Sequence, residues 1–265
     1  MQPTAVKSVA TELGRTVYEP ERMRDVVETL RELHVDLFVV ASYGKFLPQV
    51  LLDLPQLGAF NVHPSLLPLY RGATPLQAQI RDRCTTTGAT IIAMDAGMDT
   101  GDVLLRESTP LGPRETYGEL EQRLSELGAH LLLRTLELAQ SGRLARVKQS
   151  TLASQPEIDA TMTHPLRSDD LRVDWSQSAL QVDALVRSLS PQPCARAQIG
   201  DILCKIVEAQ PLDDVVRQPA GTPFRAGSAL AIACGSGALQ IERVIPANRS
   251  AMSGEAFAAS LFAPR

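Results

Sequence analysis

At 265 residues the chain is long enough for two domains of ordinary size, each with its own core. A composition of 44% hydrophobic and 21% charged residues is that of a soluble globular protein, and no apolar stretch is long enough to span a bilayer. The net charge of −4 excludes a global attraction to nucleic acid and leaves room for a local basic patch at most.

The opening stretch, "MQPTAVKSVATELG", lacks the apolar core of a signal peptide, so a cytoplasmic location is expected. "PERMRDVVETLRELH" places Met23, Val26, Val27, Leu30 and Leu33 at the spacing of one helical face. "VDLFVVAS" follows as a continuous apolar run, the pattern of a strand covered on both sides in a parallel sheet. The alternation continues with a helix in "FLPQVLLDL", a short strand in "GAFNV" and a helix opened by Thr74 and Pro75. "GATIIAMD" and "DVLLREST" read as two further strands joined by the glycine-bearing turn "AGMDTG". The longest helix begins at a capping box of Thr116 and Glu119, aligns Leu120, Leu124, Leu127 and Leu131, and ends near Gly142.

This order predicts an α/β fold with a Rossmann-like parallel sheet over residues 1–156. Residues 157–175 are polar and without sustained period, and are expected to be a linker with local turns. From residue 176 to 265 one amphipathic helix precedes short strand candidates, "ARAQIG", "ILCKIVEAQPL", "ALAIACG" and "ALQIERVI". The simplest expectation is an OB-like β-barrel. The cysteines, Cys84, Cys194, Cys204 and Cys234, are widely spaced, which argues against a structural metal or a redox dithiol.

In such sheets ligands sit beyond the carboxyl ends of the strands, where Asn61 and His63 lie in "FNVHPSLLPLYRG". Alternation along a strand sends both side chains to one face. An amide and an imidazole aimed at one point suit a carbonyl oxygen that becomes negative under attack. Asp99, in "GMDTGD", is the carboxylate that can orient the imidazole. Taken singly, His63 also reads as a satisfied structural residue, and Asn61 and Asp99 as turn formers. "VHPSLLP" lacks the glycine-flanked serine of a hydrolase elbow, so direct transfer between two bound substrates is favoured.

"NVHPSLLPLYRG" followed by "MDAGMDTGDVLL" resembles the signature of the folate-dependent formyltransferases. "YRGATP" favours the branch that acts on a charged tRNA, and "RVDW", "SPQP" and "PANRSAMSG" extend the resemblance along nearly the whole chain. The resemblance implies transfer of a formyl group from the co-substrate 10-formyltetrahydrofolate to the α-amine of methionyl-initiator tRNA, with no metal and no membrane partner. It implies that Asn61 and His63 stabilise the oxyanion, that Asp99 positions His63 and aids proton removal, and that Ser65, Leu66, Leu67 and Pro68 border the folate. Arg71 is either a contact for an anionic or polar substrate group or a solvated loop cation. Lys205, Arg243 and Arg249 are candidates for a basic edge that meets tRNA phosphates, against the alternative of scattered surface charge.

The resemblance also implies an upstream strand, helix, second strand and basic loop, so the fold is expected to be N-terminally truncated and the chain poorly soluble or weakly active. Three other readings keep part of the pattern: a formyltransferase for another amine, a formyltetrahydrofolate hydrolase, and an inactive truncated remnant. "SPQPCA" departs from the family's pattern at Gln192, where an aromatic residue is usual.

Overall fold

The computed structural model describes residues 3–44, 46–212 and 217–263. Met1 and Gln2 of the opening stretch, and Lys45 in "ASYGKFLP", lie outside the described residues. Helix α1 (Ala5–Glu12) is capped by Thr4 and buries none of its residues. The helix expected over 20–34 is a 3-10 turn (Met23–Val26) running into α2 (Val27–Glu32). Strand β1 (Phe38–Ala41) follows, and then α3 (Gln49–Leu52), shorter than expected because Pro48 precedes it and Pro55 disfavours helical backbone just before itself.

Strands β2 (Ala59–His63), β3 (Thr86–Ala93) and β4 (Val103–Pro110), with α4 (Pro75–Arg81) between β2 and β3, complete a sheet of order β1-β2-β3-β4. The parallel pairing expected throughout is confined to β1 and β2, and β3 and β4 join antiparallel. The short glycine-bearing turn between β3 and β4 permits only a hairpin, since a parallel return needs a crossover of a dozen or more residues.

β1 is corrected from a strand covered on both sides to a half-covered one. Its burial alternates, and Val39 is 47% exposed while Phe38 and Val40 pack on Val27, Leu47 and Leu51. Among the described residues β2 is its ladder partner, so one edge and one face of β1 stay open.

The other face of β2 and β3 is covered by α5 (Tyr117–Gln140), whose expected capping box of Thr116 and Glu119 is formed. Leu131 meets Phe60, Ile91 and Leu104, and each such fully buried side chain contributes on the order of 1.5–3 kcal/mol. Gly128 lets helix and sheet approach: a Cβ there would lie 2.7 Å from Val62 Cγ1. Val62 thus points to the helix, which turns Asn61 and His63 to the opposite side of β2.

The stretch expected to be a linker is ordered. Ser154 and Glu157 form a capping box for α6 (Gln155–Ala160), Ile158 is buried, and a further 3-10 turn spans Asp169–Leu171. Its lack of apolar period reflects where its polar groups go, which is onto the backbone of the loop after β2.

The second unit opens with α7 (Ala179–Ser188) and continues as β5 (Ala195–Ile199), β6 (Ile202–Leu212), β7 (Pro223–Ala226), β8 (Ala229–Ala233), β9 (Ala238–Pro246), β10 (Met252–Ser253) and α8 (Gly254–Leu261). The strands pair antiparallel in the order β5-β6-β9-β8-β7, with β10 on β9. Register shifts between Ile206, Glu208 and Ala209 bend β6, as bulges do, and curve the sheet around a core that holds Val182, Ile206, Leu230, Ile241 and Phe257. This agrees with an OB-like unit.

Asp183 ties the two units. It is 3% exposed and accepts from Arg114 Nη1 at 2.7 Å and Arg187 Nε at 2.8 Å, while Arg187 Nη1 also donates to the Glu115 carbonyl at 3.1 Å.

Candidate active site

The site forms where β2 ends. Asn61 and His63 emerge on the side away from α5, and the chain then turns through Pro64 into a loop anchored on β3. Thr90 makes that anchor by donating to the Ser65 carbonyl at 2.6 Å and accepting from Leu67 N at 3.1 Å. The Ser65 hydroxyl donates to the Leu69 carbonyl at 2.7 Å, so it is spent within the loop. Ser65, Leu67 and Pro68 are buried, Leu67 against Ile92 and Val103, and Leu66 is half-buried.

The turn between β3 and β4 delivers Asp99 to the same place. Asp99 has φ +54°, a left-handed conformation that aspartate tolerates better than most residues. Its Oδ1 accepts from Asn61 Nδ2 at 3.3 Å, its Oδ2 accepts from the Gly72 amide at 2.9 Å, and Oδ2 stands 3.6 Å from His63 Nδ1. The three residues singled out from sequence therefore converge on one carboxylate.

His63 is 4% exposed. Its Nε2 lies 2.9 Å from the Tyr70 carbonyl, which can only accept, so Nε2 carries the proton and Nδ1 is left basic and turned toward Asp99. Burial lowers the pKa of His63 from its ordinary value, with the Asp99 charge and the Tyr70 carbonyl acting in the opposite sense. The neutral ring is thus a proton acceptor facing a carboxylate that would pair with the imidazolium.

Residues that sequence reasoning missed complete the frame. Gly72 has φ +107°, and a Cβ on it would lie 2.2 Å from the Thr163 carbonyl oxygen. Thr163 N donates to the Arg71 carbonyl at 2.8 Å, Thr163 Oγ1 accepts from Thr74 N at 3.1 Å, and Thr161 Oγ1 accepts from Tyr70 N at 3.1 Å. Arg71 is anchored and partly buried: its Nε and Nη2 donate to Gln149 Oε1 at 3.0 and 2.8 Å. Gln149 is 3% exposed and its amide donates to the carbonyls of Asp99 and Gly101, each at 2.7 Å. "YRG" inside the motif hints at the turn, but no periodic or compositional signal marks bonds to main-chain atoms. A cavity of about 320 Å³ opens on the side-chain side of Tyr70, lined by Thr74, Ala78, Arg81, Met162 and His164.

In the second unit Lys205, Arg243 and Arg249 are all exposed. Lys205 lies directly across the ladder from Arg196, and Arg196 bridges to Arg172, which aligns three cations in one row on the outer face. Arg172 also stands 3.6 Å from Asp169, Arg243 faces Glu208 at 3.9 Å, and Arg249 sits in the turn after β9. Nothing in the sequence singles out Arg196 and Arg172, because a cross-strand row is invisible until register is known.

Comparison with known proteins gives the family. The formyl transferase family matches residues 2–136 and the formyl transferase C-terminal domain matches residues 165–261. The methionyl-tRNA formyltransferase of Gluconobacter oxydans is 39% identical over 261 residues, covering 97% of this chain and 82% of that protein. In fold, the chain resembles HypX from Aquifex aeolicus in complex with tetrahydrofolic acid, with a TM-score of 0.68, 19% identity and coverage of 96% of this chain and 43% of that one. It also resembles the N-formyltransferase from Helicobacter canadensis in complex with folinic acid and dTDP-3-aminofucose, with a TM-score of 0.67, 15% identity and coverage of 88% and 80%. The convergence of Asn61, His63 and Asp99 and these matches along both units lead to one assignment: the chain belongs to the formyltransferase family, among the methionyl-tRNA formyltransferases.

Proposed function

We propose that the chain moves the formyl group of 10-formyltetrahydrofolate to the α-amine of methionine on charged initiator tRNA. The single observation that carries the reading is the Asn61, His63 and Asp99 cluster at the end of β2, within a chain similar along both units to methionyl-tRNA formyltransferases.

The amine attacks the formyl carbon, the new C–N bond forms, and the formyl oxygen becomes an oxyanion. Asn61 has one amide hydrogen on Asp99 and a second free to donate to that oxygen. The amine must lose a proton, and His63 Nδ1, basic and faced by Asp99, takes it up. The resulting imidazolium lies beside the oxyanion and is stabilised by Asp99. Collapse breaks the bond to the folate nitrogen, which takes back the proton held by the His63 imidazolium and leaves as tetrahydrofolate, restoring the neutral ring. The loop of Ser65, Leu66, Leu67 and Pro68, held by Thr90, is the wall on which the folate rests, with Leu66 the member that keeps half-open apolar surface.

The acceptor is long and polyanionic, and the row of Arg172, Arg196 and Lys205 supplies a surface for its phosphates. Like charges directly opposite on a ladder are destabilising, which a bound phosphate backbone would relieve. Arg196→Ala with Lys205→Ala is expected to raise KM for charged tRNA and leave kcat alone. The slope of log affinity against log salt should become shallower by about 1.8, at roughly 0.9 for each phosphate no longer neutralised. An unchanged KM and an unchanged slope would remove this face from tRNA binding.

A further inference from the structure

Gln149 lies in the segment after α5, outside the strand and the turn that carry the reacting cluster. We propose that Gln149 is a positioning residue for formyl transfer: its one amide locks the Asp99 turn and the Arg71 guanidinium together and so sets the Asp99 carboxylate against Asn61 and His63. This rests on the reading above that Asp99 takes part in the transfer.

The amide uses its whole hydrogen-bonding capacity. Both protons of Nε2 go to carbonyls that bracket the turn, Asp99 and Gly101, and both lone pairs of Oε1 receive Arg71. Its backbone is itself anchored, because Val147, two residues earlier, exchanges two 2.9 Å hydrogen bonds with Val103 at the start of β4. The Asp99 turn is therefore held from one side by Gln149 on its carbonyls and from the other by Gly72 on its carboxylate. A left-handed residue such as Asp99 keeps its conformation only while its surroundings demand it.

No other common side chain meets these demands. Asparagine is one methylene short. Glutamate keeps the bond to Arg71 but sets a carboxylate against two carbonyl oxygens. Methionine fills the volume and makes none of the four bonds.

The test compares Gln149→Met and Gln149→Glu with the unaltered full chain, under saturation by both substrates. The expected result for each variant is a fall in kcat of roughly 10- to 100-fold, the scale of a misplacement by about 1 Å, with KM values changed by less than about threefold. Added to Asp99→Asn, either substitution should cost nothing further, because it acts through Asp99. Should Gln149→Met fail to fold, the isosteric Gln149→Glu carries the comparison. Hydrogen exchange of the backbone over 97–101 should quicken in the variants even if the parent chain transfers no formyl group, a result that would end the functional reading alone. Folded variants with parental kcat, losses that multiply with that of Asp99→Asn, or unchanged exchange over 97–101 would each overturn the positioning role.

Discussion

Asp99→Asn is expected to lower kcat for formyl transfer by roughly 10²- to 10⁴-fold, the range for loss of a positioned acid-base group, with substrate KM values close to those of the parent. The substitution is nearly isosteric, so the turn and its bond from the Gly72 amide can persist. What disappears is the negative charge 3.6 Å from His63 Nδ1. Burial already lowers the His63 pKa, and the Asp99 charge is the main influence in the opposite direction. Without it the ring holds an incoming proton still less well, and the amine cannot be deprotonated as its bond to the formyl carbon forms. Steady-state kinetics with both substrates saturating give the answer, and a loss smaller than about threefold would place Asp99 outside the reaction.

Asp183→Ala is expected to have the largest effect on stability, a loss of about 3–5 kcal/mol, as found when one partner of a buried ion pair is removed. Arg187, itself 7% exposed, would be left charged and unpaired against the Glu115 carbonyl, and Arg114 would lose its anchor between the units. Trp175, the one tryptophan of the chain, packs on the second unit's core and reports its unfolding by fluorescence. The midpoint in denaturant should fall well below that of the parent. Asp183→Leu combined with Arg187→Met should recover most of the loss, since apolar groups of similar volume replace buried ion pairs with little penalty. A parental midpoint for Asp183→Ala would mean that solvent, not Asp183, compensates these arginines.

The elements of both units are legible where side-chain period decides them. The leucines of α5 and its capping box, the alternation in β5, and the run that becomes β3 all form within a few residues of expectation. Asn61 and His63 can be placed on one side of β2 because two-residue spacing in a strand leaves no choice. Asp99 stands out because glycines two residues away on either side mark a turn that must come close to something.

What is not legible depends on pairing or on the main chain. The direction of β3 follows from which neighbour it adopts, and apolar runs read alike in parallel and antiparallel sheets. The row of Arg172, Arg196 and Lys205 exists only once the register of β5 and β6 is set. Gln149 acts on backbone carbonyls of the turn between β3 and β4, Thr161 and Thr163 act on backbone atoms of the loop after β2, and a polar side chain that binds a main-chain group leaves no pattern in the residues it touches. For the same reason residues 157–175 read as a linker although their threonines hold the loop that carries Tyr70 and Gly72.

The decisive experiment is transfer of labelled formyl from 10-formyltetrahydrofolate to methionyl-initiator tRNA by this chain, with Asp99→Asn in parallel and an aminosugar nucleotide and water as rival acceptors. Label is expected on the methionyl amine, with its loss in the variant and none on the rivals. Label on a sugar amine or released as formate, with none on the charged tRNA, would contradict the proposed reaction.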